Sequence, residues 1–99
     1  MHSLESLLSD PSFKTFRELD HRHACSKGMA FRAFKALGAT LVEGQDFHCC
    51  DRRSDGDAFA VLEASGRLYR GTVNGVLLAP SAQAAIAARL ANAGHSPSA

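Results

Sequence analysis

Residues 16–37 read FRELDHRHACSKGMAFRAFKAL, and this stretch contains two helical patterns separated by a turn. The first pattern ends near Ala24. Apolar residues then recur at intervals of three and four from Ala30 to Leu37, which places them on one face of a second helix. Ser26 is well placed to be the N-cap of that helix, because its hydroxyl can accept a hydrogen bond from an unpaired N–H of the first turn.

The face of the second helix opposite the apolar stripe is basic. Arg32 and Lys35 lie three residues apart on it, with Gly28 one turn earlier and Lys27 at the start. Two short helices of this kind describe a helix-turn-helix. The sequence resembles helix-turn-helix regulators, whose second helix often opens with Ser after a small-apolar pair, as residues 24–26 do here. The same residues also fit an ordinary pair of packed surface helices with solvated charges.

Length and composition indicate one domain. A chain of 99 residues with 45% hydrophobic and 21% charged residues is typical of a globular protein with a modest core. We predict a single domain over residues 1–94 and a disordered polar tail over 95–99. The chain shows neither a membrane-spanning run nor a secretory signal, and its three cysteines form no disulfide framework. We therefore expect a cytoplasmic protein.

The charge is segregated along the chain although the net charge is only +1. Residues 14–35 carry six cations and two anions, an excess of +4. Residues 43–63 carry six anions and two cations, an excess of −4. The basic half coincides with the helix-turn-helix pattern, which favours nucleic-acid binding. The acidic half is either a solvated face or a surface for a protein partner.

The remaining elements indicate an α+β fold. We expect two helices before the basic helix and two after it, a strand near residues 47–50, and a β-hairpin. The predicted helices are a short one around Leu4, one over 11–22 opened by Pro11, one after a capping box at 54–57, and one over 80–94. Asn74-Gly75 between β-formers predicts the hairpin tip, because a type I′ turn needs positive φ at both central residues.

This order of elements is close to a winged helix-turn-helix, in which the hairpin is a wing that contacts the DNA backbone. Arg67 and Arg70 would then be the wing's phosphate contacts. Arg17 and Arg22 would contact phosphate from the first helix. The hairpin is also compatible with a purely structural sheet whose arginines are solvated.

A second resemblance rests on Glu-Gly-x-Asp-Phe at residues 43–47, placed after the helix-turn-helix and before a late strand and a final helix. This arrangement resembles phage antirepressor and KilA-N or BRO-type modules. That likeness implies a small DNA-binding regulator of phage or plasmid type.

Metal and catalytic chemistry find weaker support. His21 and Cys25 share a helix face, and His48 and Cys50 share a strand face, so a four-ligand zinc site is conceivable. None of the four belongs to a Cys-x-x-Cys pair, so we favour buried structural cysteines and surface histidines over a metal site. We find no activated nucleophile and no glycine-rich phosphate loop, so we predict a non-enzyme without metal or cofactor.

The sequence therefore predicts a small α+β transcriptional regulator that binds double-stranded DNA as a homodimer. The predicted DNA-binding residues are Arg17, Arg22, Lys27, Gly28, Arg32, Lys35, Arg67 and Arg70. The dimer interface would be the first helix, with Leu4, Leu7 and Leu8, or the last helix. The alternative is a small protein-binding module or inhibitor whose acidic 43–63 surface meets a basic partner.

Overall fold

The computed structural model describes residues 4–92, which form five α-helices and a two-stranded antiparallel sheet. In chain order the elements are α1 (Leu4–Ser9), α2 (Phe16–Arg22), α3 (Met29–Leu37), a 3₁₀ turn (Gly38–Thr40), β1 (Phe47–Asp51), α4 (Gly56–Ala64), β2 (Asn74–Leu78) and α5 (Pro80–Asn92). The α+β class of the prediction is confirmed. The predicted disordered tail over 95–99 lies outside the described residues.

β2 separates two small hydrophobic cores. Leu77 and Leu78 are adjacent on the strand and therefore point to opposite faces, and both are fully buried. Leu78 packs with residues of α2, α3 and α5, including Leu19 and Ile86. Leu77 packs with residues of α1, β1 and α4, including Leu62. One strand thus ties the basic helix pair to the rest of the chain.

The predicted hairpin at Asn74-Gly75 is wrong. Asn74 and Gly75 are the first residues of β2 and pair with Asp51 and Cys50 of β1, so the sheet joins strands that flank α4. A Cβ on Gly75 would lie 3.1 Å from the Cys50 carbonyl oxygen. This glycine therefore serves a close approach between strands. Since there is no hairpin at Asn74-Gly75, the predicted wing is also wrong.

α2 begins later than the sequence suggested. Thr15 is its N-cap and forms a capping box with Glu18, whereas Asp10 accepts hydrogen bonds from Ser12 in a turn. Lys14 makes two backbone hydrogen bonds with Leu78, of 3.1 and 2.7 Å. Pro11 and Ser12 lie in a turn and Lys14 forms an isolated bridge with Leu78, so a helix that began at Pro11 would break these bonds.

Both faces proposed for a dimer interface are used within one chain. Leu7 of α1 is buried, with Leu4 and Leu8 packed around the same core. On α5, Ile86 and Leu90 are buried against α3 and α2. Leu7, Ile86 and Leu90 therefore cannot contact a second copy, whereas Leu4 and Leu8 are only partly buried.

Candidate nucleic-acid interface

A buried carboxylate of α2 fixes the start of α3. Asp20 is 1% exposed, and its Oδ2 and Oδ1 accept hydrogen bonds from the backbone N–H groups of Gly28 (2.9 Å) and Ala30 (2.8 Å). The first N–H groups of a helix lack partners within the helix, so a carboxylate there stabilises it. The predicted Ser26 cap is wrong, because the N-cap is Gly28, with φ of 92° and no side chain to cap with.

The connection between α4 and β2 also forms a hydrogen bond with the Asp20 carboxylate. The Tyr69 hydroxyl donates a 2.5 Å hydrogen bond to Asp20 Oδ2. Loss of solvation raises the pKa of Tyr69 to about 12, helped by the hydrogen bond to Asp20 and its negative charge and opposed by Arg17. One buried acid thus joins α2, α3 and the 65–73 connection.

Two cations lie over the ring of Tyr69. Lys27 Nζ is 5.0 Å from the ring centroid, and the Arg17 guanidinium carbon is 5.9 Å from it. Arg17 also donates a hydrogen bond to the Gly66 carbonyl. A cleft of about 500 Å³ at this point is lined by both cations together with Arg70 and His21. Cations from α2, the α2–α3 turn and the α4–β2 connection therefore converge around one aromatic ring.

The outward face of α3 continues this basic surface. Arg32 and Lys35 are exposed, whereas Ala30 and Ala33 of the same helix are buried. The Arg32 guanidinium lies 3.9 Å from the position that a Cβ on Gly28 would occupy. We define the basic face as Arg17, Lys27, Arg32, Lys35 and Arg70. Within residues 4–92, the one salt bridge joins Glu18 and Arg67, so no member of the basic face is neutralised by such a pair.

Arg67 is a structural residue rather than a wing contact. Its guanidinium forms a 3.1 Å salt bridge with Glu18 and donates to the carbonyls of Leu8 (3.2 Å) and Phe13 (3.0 Å). Burial alone would raise the pKa of the Glu18 carboxyl. The Thr15 N–H and the Arg67 guanidinium outweigh burial and hold that pKa below its usual value.

We expect Arg67→Met to lower the free energy of unfolding by about 1–2 kcal/mol, because two backbone carbonyls and Glu18 lose a charged donor that is only partly exposed. Urea denaturation measures the loss. The matched control is Arg70→Met, which removes an exposed arginine three residues away and should change stability by less than about 0.5 kcal/mol. Equal stability of the two variants would contradict the structural role of Arg67.

Arg22 occupies an intermediate position. It is exposed, and its guanidinium donates a 3.2 Å hydrogen bond to Gln83 Oε1 on α5. Arg22 lines a second cleft, of about 610 Å³, with Lys14 and Arg17. The structure thus brings together six of the eight predicted residues around α3, places Arg22 at the margin and gives Arg67 another role.

Tyr69 and Asp20 are the residues of this site that sequence reasoning missed. Tyr69 is the only tyrosine of the chain, and a single tyrosine between two arginine-bearing positions was the available signal. Asp20 had no comparable signal, because its partners lie eight and ten residues ahead and forty-nine residues away.

The Tyr69 environment gives a direct spectroscopic prediction. Because the chain has no other tyrosine and no tryptophan, phenolate absorbance should report Tyr69 alone, with a midpoint near pH 12 in the folded protein and about 10 after denaturation. The folded state favours the neutral phenol. The contribution of Tyr69 to stability is therefore fully present below about pH 10, and it is lost as the pH rises through the pKa that Tyr69 has in the folded protein.

The control for this titration is Tyr69→Phe, which should remove the absorbance change entirely. A folded-state midpoint near 10 would contradict the Asp20–Tyr69 hydrogen bond.

The four residues considered for zinc do not form a site. No group of three or more His, Cys, Asp or Glu side chains within residues 4–92 is arranged to hold a metal ion. Cys50 is buried in the core, and loss of solvation with the nearby Asp55 and Asp51 raises the pKa of its thiol to about 11. A protonated core thiol packs as a small apolar group.

Comparison with protein-family models, curated proteins and solved structures found no match to this chain. The fold and site define a small α+β protein with a basic, partly aromatic face built around the start of one helix. Among residues 4–92, no helix has the length and apolar character needed to cross a membrane.

Proposed function

We propose that this protein binds double-stranded DNA through α3 and the basic face. The observation that carries the proposal is the convergence of Arg17, Lys27 and Arg70, from three segments, at one cleft. The exposed Arg32 and Lys35 of α3 extend this basic surface, in a chain whose net charge is only +1. A local excess of positive charge attracts the phosphate backbone irrespective of the overall charge.

Different residues of the basic face would contact the bases and the phosphates of the DNA. Arg32 and Lys35 stand on the outward face of α3, where their donors can meet guanine edges in the major groove. Arg17, Lys27 and Arg70 lie beside the start of that helix and are suited to phosphate. Arg70 replaces the predicted wing as the contact from the α4–β2 connection.

The proposed biological role is a small transcriptional regulator of phage or plasmid type. A helix of nine residues spans only a few base pairs. A homodimer that presents two copies of α3 would double the length of the site. The faces of α1 and α5 that pack in the core do not serve as its interface.

The acidic alternative has less support. In the 43–63 segment, Asp46 accepts from the Val42 N–H, Asp51 from the Arg53 N–H, and Asp55 from the Asp51 N–H. These three carboxylates stabilise turns within their own segment, so the fold accounts for their positions without a basic partner.

The test is fluorescence anisotropy with random duplex DNA between about 50 and 200 mM salt. With about three phosphate contacts, the logarithm of the binding constant should fall with a slope of about −3 against the logarithm of salt concentration. Absence of binding at the lower salt concentration would refute the proposal.

A charge-removal variant refines this test. We expect Lys27→Ala to weaken binding to all duplexes alike and to reduce the salt slope by about 1, because one phosphate contact is lost. The matched control is Arg89→Ala, which removes an exposed cation from α5, the helix that covers the buried side of α3. An identical slope for Lys27→Ala and the unmodified protein would contradict the assignment of Lys27.

A further inference from the structure

A groove beside the basic face has apolar walls and a cationic rim. It lies between the start of α3 and the 69–76 segment and has a volume of about 510 Å³, which is in the range of small-ligand sites. Its apolar walls come from Phe16, Phe31, Tyr69, Val73 and Val76.

Two of these wall residues are unusually exposed. Phe31 is 44% exposed and Val73 is 49% exposed, although both are large hydrophobic residues. Phe31 is held by an edge contact with Phe16, at 5.4 Å between ring centroids. A fixed aromatic ring and a valine on the same open groove form a patch of the kind that marks a binding site.

Cations surround this apolar patch. Lys27 and Arg70 line the groove, and Lys35 Nζ lies 5.7 Å from the centroid of the Phe31 ring. Two wall positions, Gly28 and Gly71, carry no side chain. A Cβ on Gly71 would meet no atom within 4 Å, so the groove is open there.

We propose that this groove binds an unpaired nucleotide of a DNA strand, with the base against Phe31 and Val73 and the flanking phosphates at Lys27 and Arg70. The argument is complementarity: the occupant must combine a flat apolar surface with negative charge on both sides. A nucleotide in a strand does so, and base stacking on an aromatic side chain is tolerant of sequence. A base within a duplex remains stacked on its neighbours and cannot enter. The phosphate contacts rest on the proposed function, whereas the base contact does not.

The experiment compares eight-nucleotide oligo(dT) with an abasic strand of the same length and charge, by anisotropy at low salt. The unmodified protein should bind oligo(dT) about tenfold or more tightly than the abasic strand. Phe31→Ala should reduce this preference to less than about twofold while its affinity for the abasic strand stays unchanged.

A second variant tests the groove without removing the Phe31 ring, whose loss could also disturb packing. Val73→Asp places a negative charge on the exposed groove wall and should weaken oligo(dT) binding about tenfold. Its matched control is Val61→Asp, at a valine of α4 that is 56% exposed and outside the groove, and this variant should bind as the unmodified protein does.

Three contrary results overturn the base-docking proposal in distinguishable ways, and a fourth bears on the proposed function only. Equal affinity for oligo(dT) and the abasic strand would mean that only phosphates are bound and would leave the duplex proposal standing. Equal affinity for free thymidine monophosphate and oligo(dT) would show a small-molecule site. Binding of an acidic leucine-containing peptide without oligonucleotide binding would assign the groove to a protein partner. Failure to bind duplex DNA with oligo(dT) binding retained would refute the proposed function alone.

Discussion

Asp20→Ala is expected to lower the free energy of unfolding by about 3–5 kcal/mol. Asp20 is buried and accepts hydrogen bonds from the Gly28 N–H, the Ala30 N–H and the Tyr69 hydroxyl. Alanine offers no acceptor, so all three donors lose their partner in a region that water reaches poorly. Stabilities of small domains are about 5–15 kcal/mol, so this is a large fraction of the total.

Urea denaturation measures this loss, with Asp57→Ala as the matched control. Asp57 is an exposed aspartate in the first turn of α4, and its removal should cost less than about 1 kcal/mol. Asp20→Asn should fold with a stability between those of Asp20→Ala and the unmodified protein, because asparagine keeps the shape of the side chain and removes its charge. In that variant the Tyr69 titration should move from about 12 toward its ordinary value. A loss below about 1 kcal/mol in Asp20→Ala would show that the carboxylate does not hold the α3 start.

The second large effect is expected for Arg32→Ala in DNA binding. Arg32 is exposed on the outward face of α3, and a bidentate arginine–guanine contact contributes about 1–3 kcal/mol to discrimination. The variant should therefore lose up to about a hundredfold in affinity for a specific duplex selected from a random pool, which sharply lowers the specificity ratio. Its affinity for random duplex should fall only slightly, because one cation among five is removed.

Arg89→Ala serves again as the control, since it removes the same charge from an exposed position on α5. Competition between selected and random duplex gives the specificity ratio directly. An unchanged ratio in Arg32→Ala would remove α3 as the reading element while leaving the phosphate contacts untouched.

The sequence by itself determined the two faces of α3. Its buried residues include Ala30 and Ala33, and its exposed residues include Arg32 and Lys35, as the helical period predicts. The end of α3 at Gly38, the strand near residue 47 and the helix from Pro80 also followed from local patterns. These features depend on backbone preference and on neighbours within one helical turn, which a sequence states directly.

Tertiary structure alone decided what the other signals meant. Asn74-Gly75 has the local chemistry of a hairpin turn, but pairing with Asp51 and Cys50 places it at the start of a strand. Arg67 and Arg70 are both arginines of the segment that was predicted to form a wing, and the sequence does not distinguish them. In the structure, Arg67 forms a salt bridge with Glu18 and donates hydrogen bonds to two backbone carbonyls. Such outcomes depend on contacts between residues far apart in the chain, whose partners are chosen by packing of the whole fold. The cap of α3 by Asp20 is the clearest case, because a side chain on α2 supplies what the residues next to α3 do not.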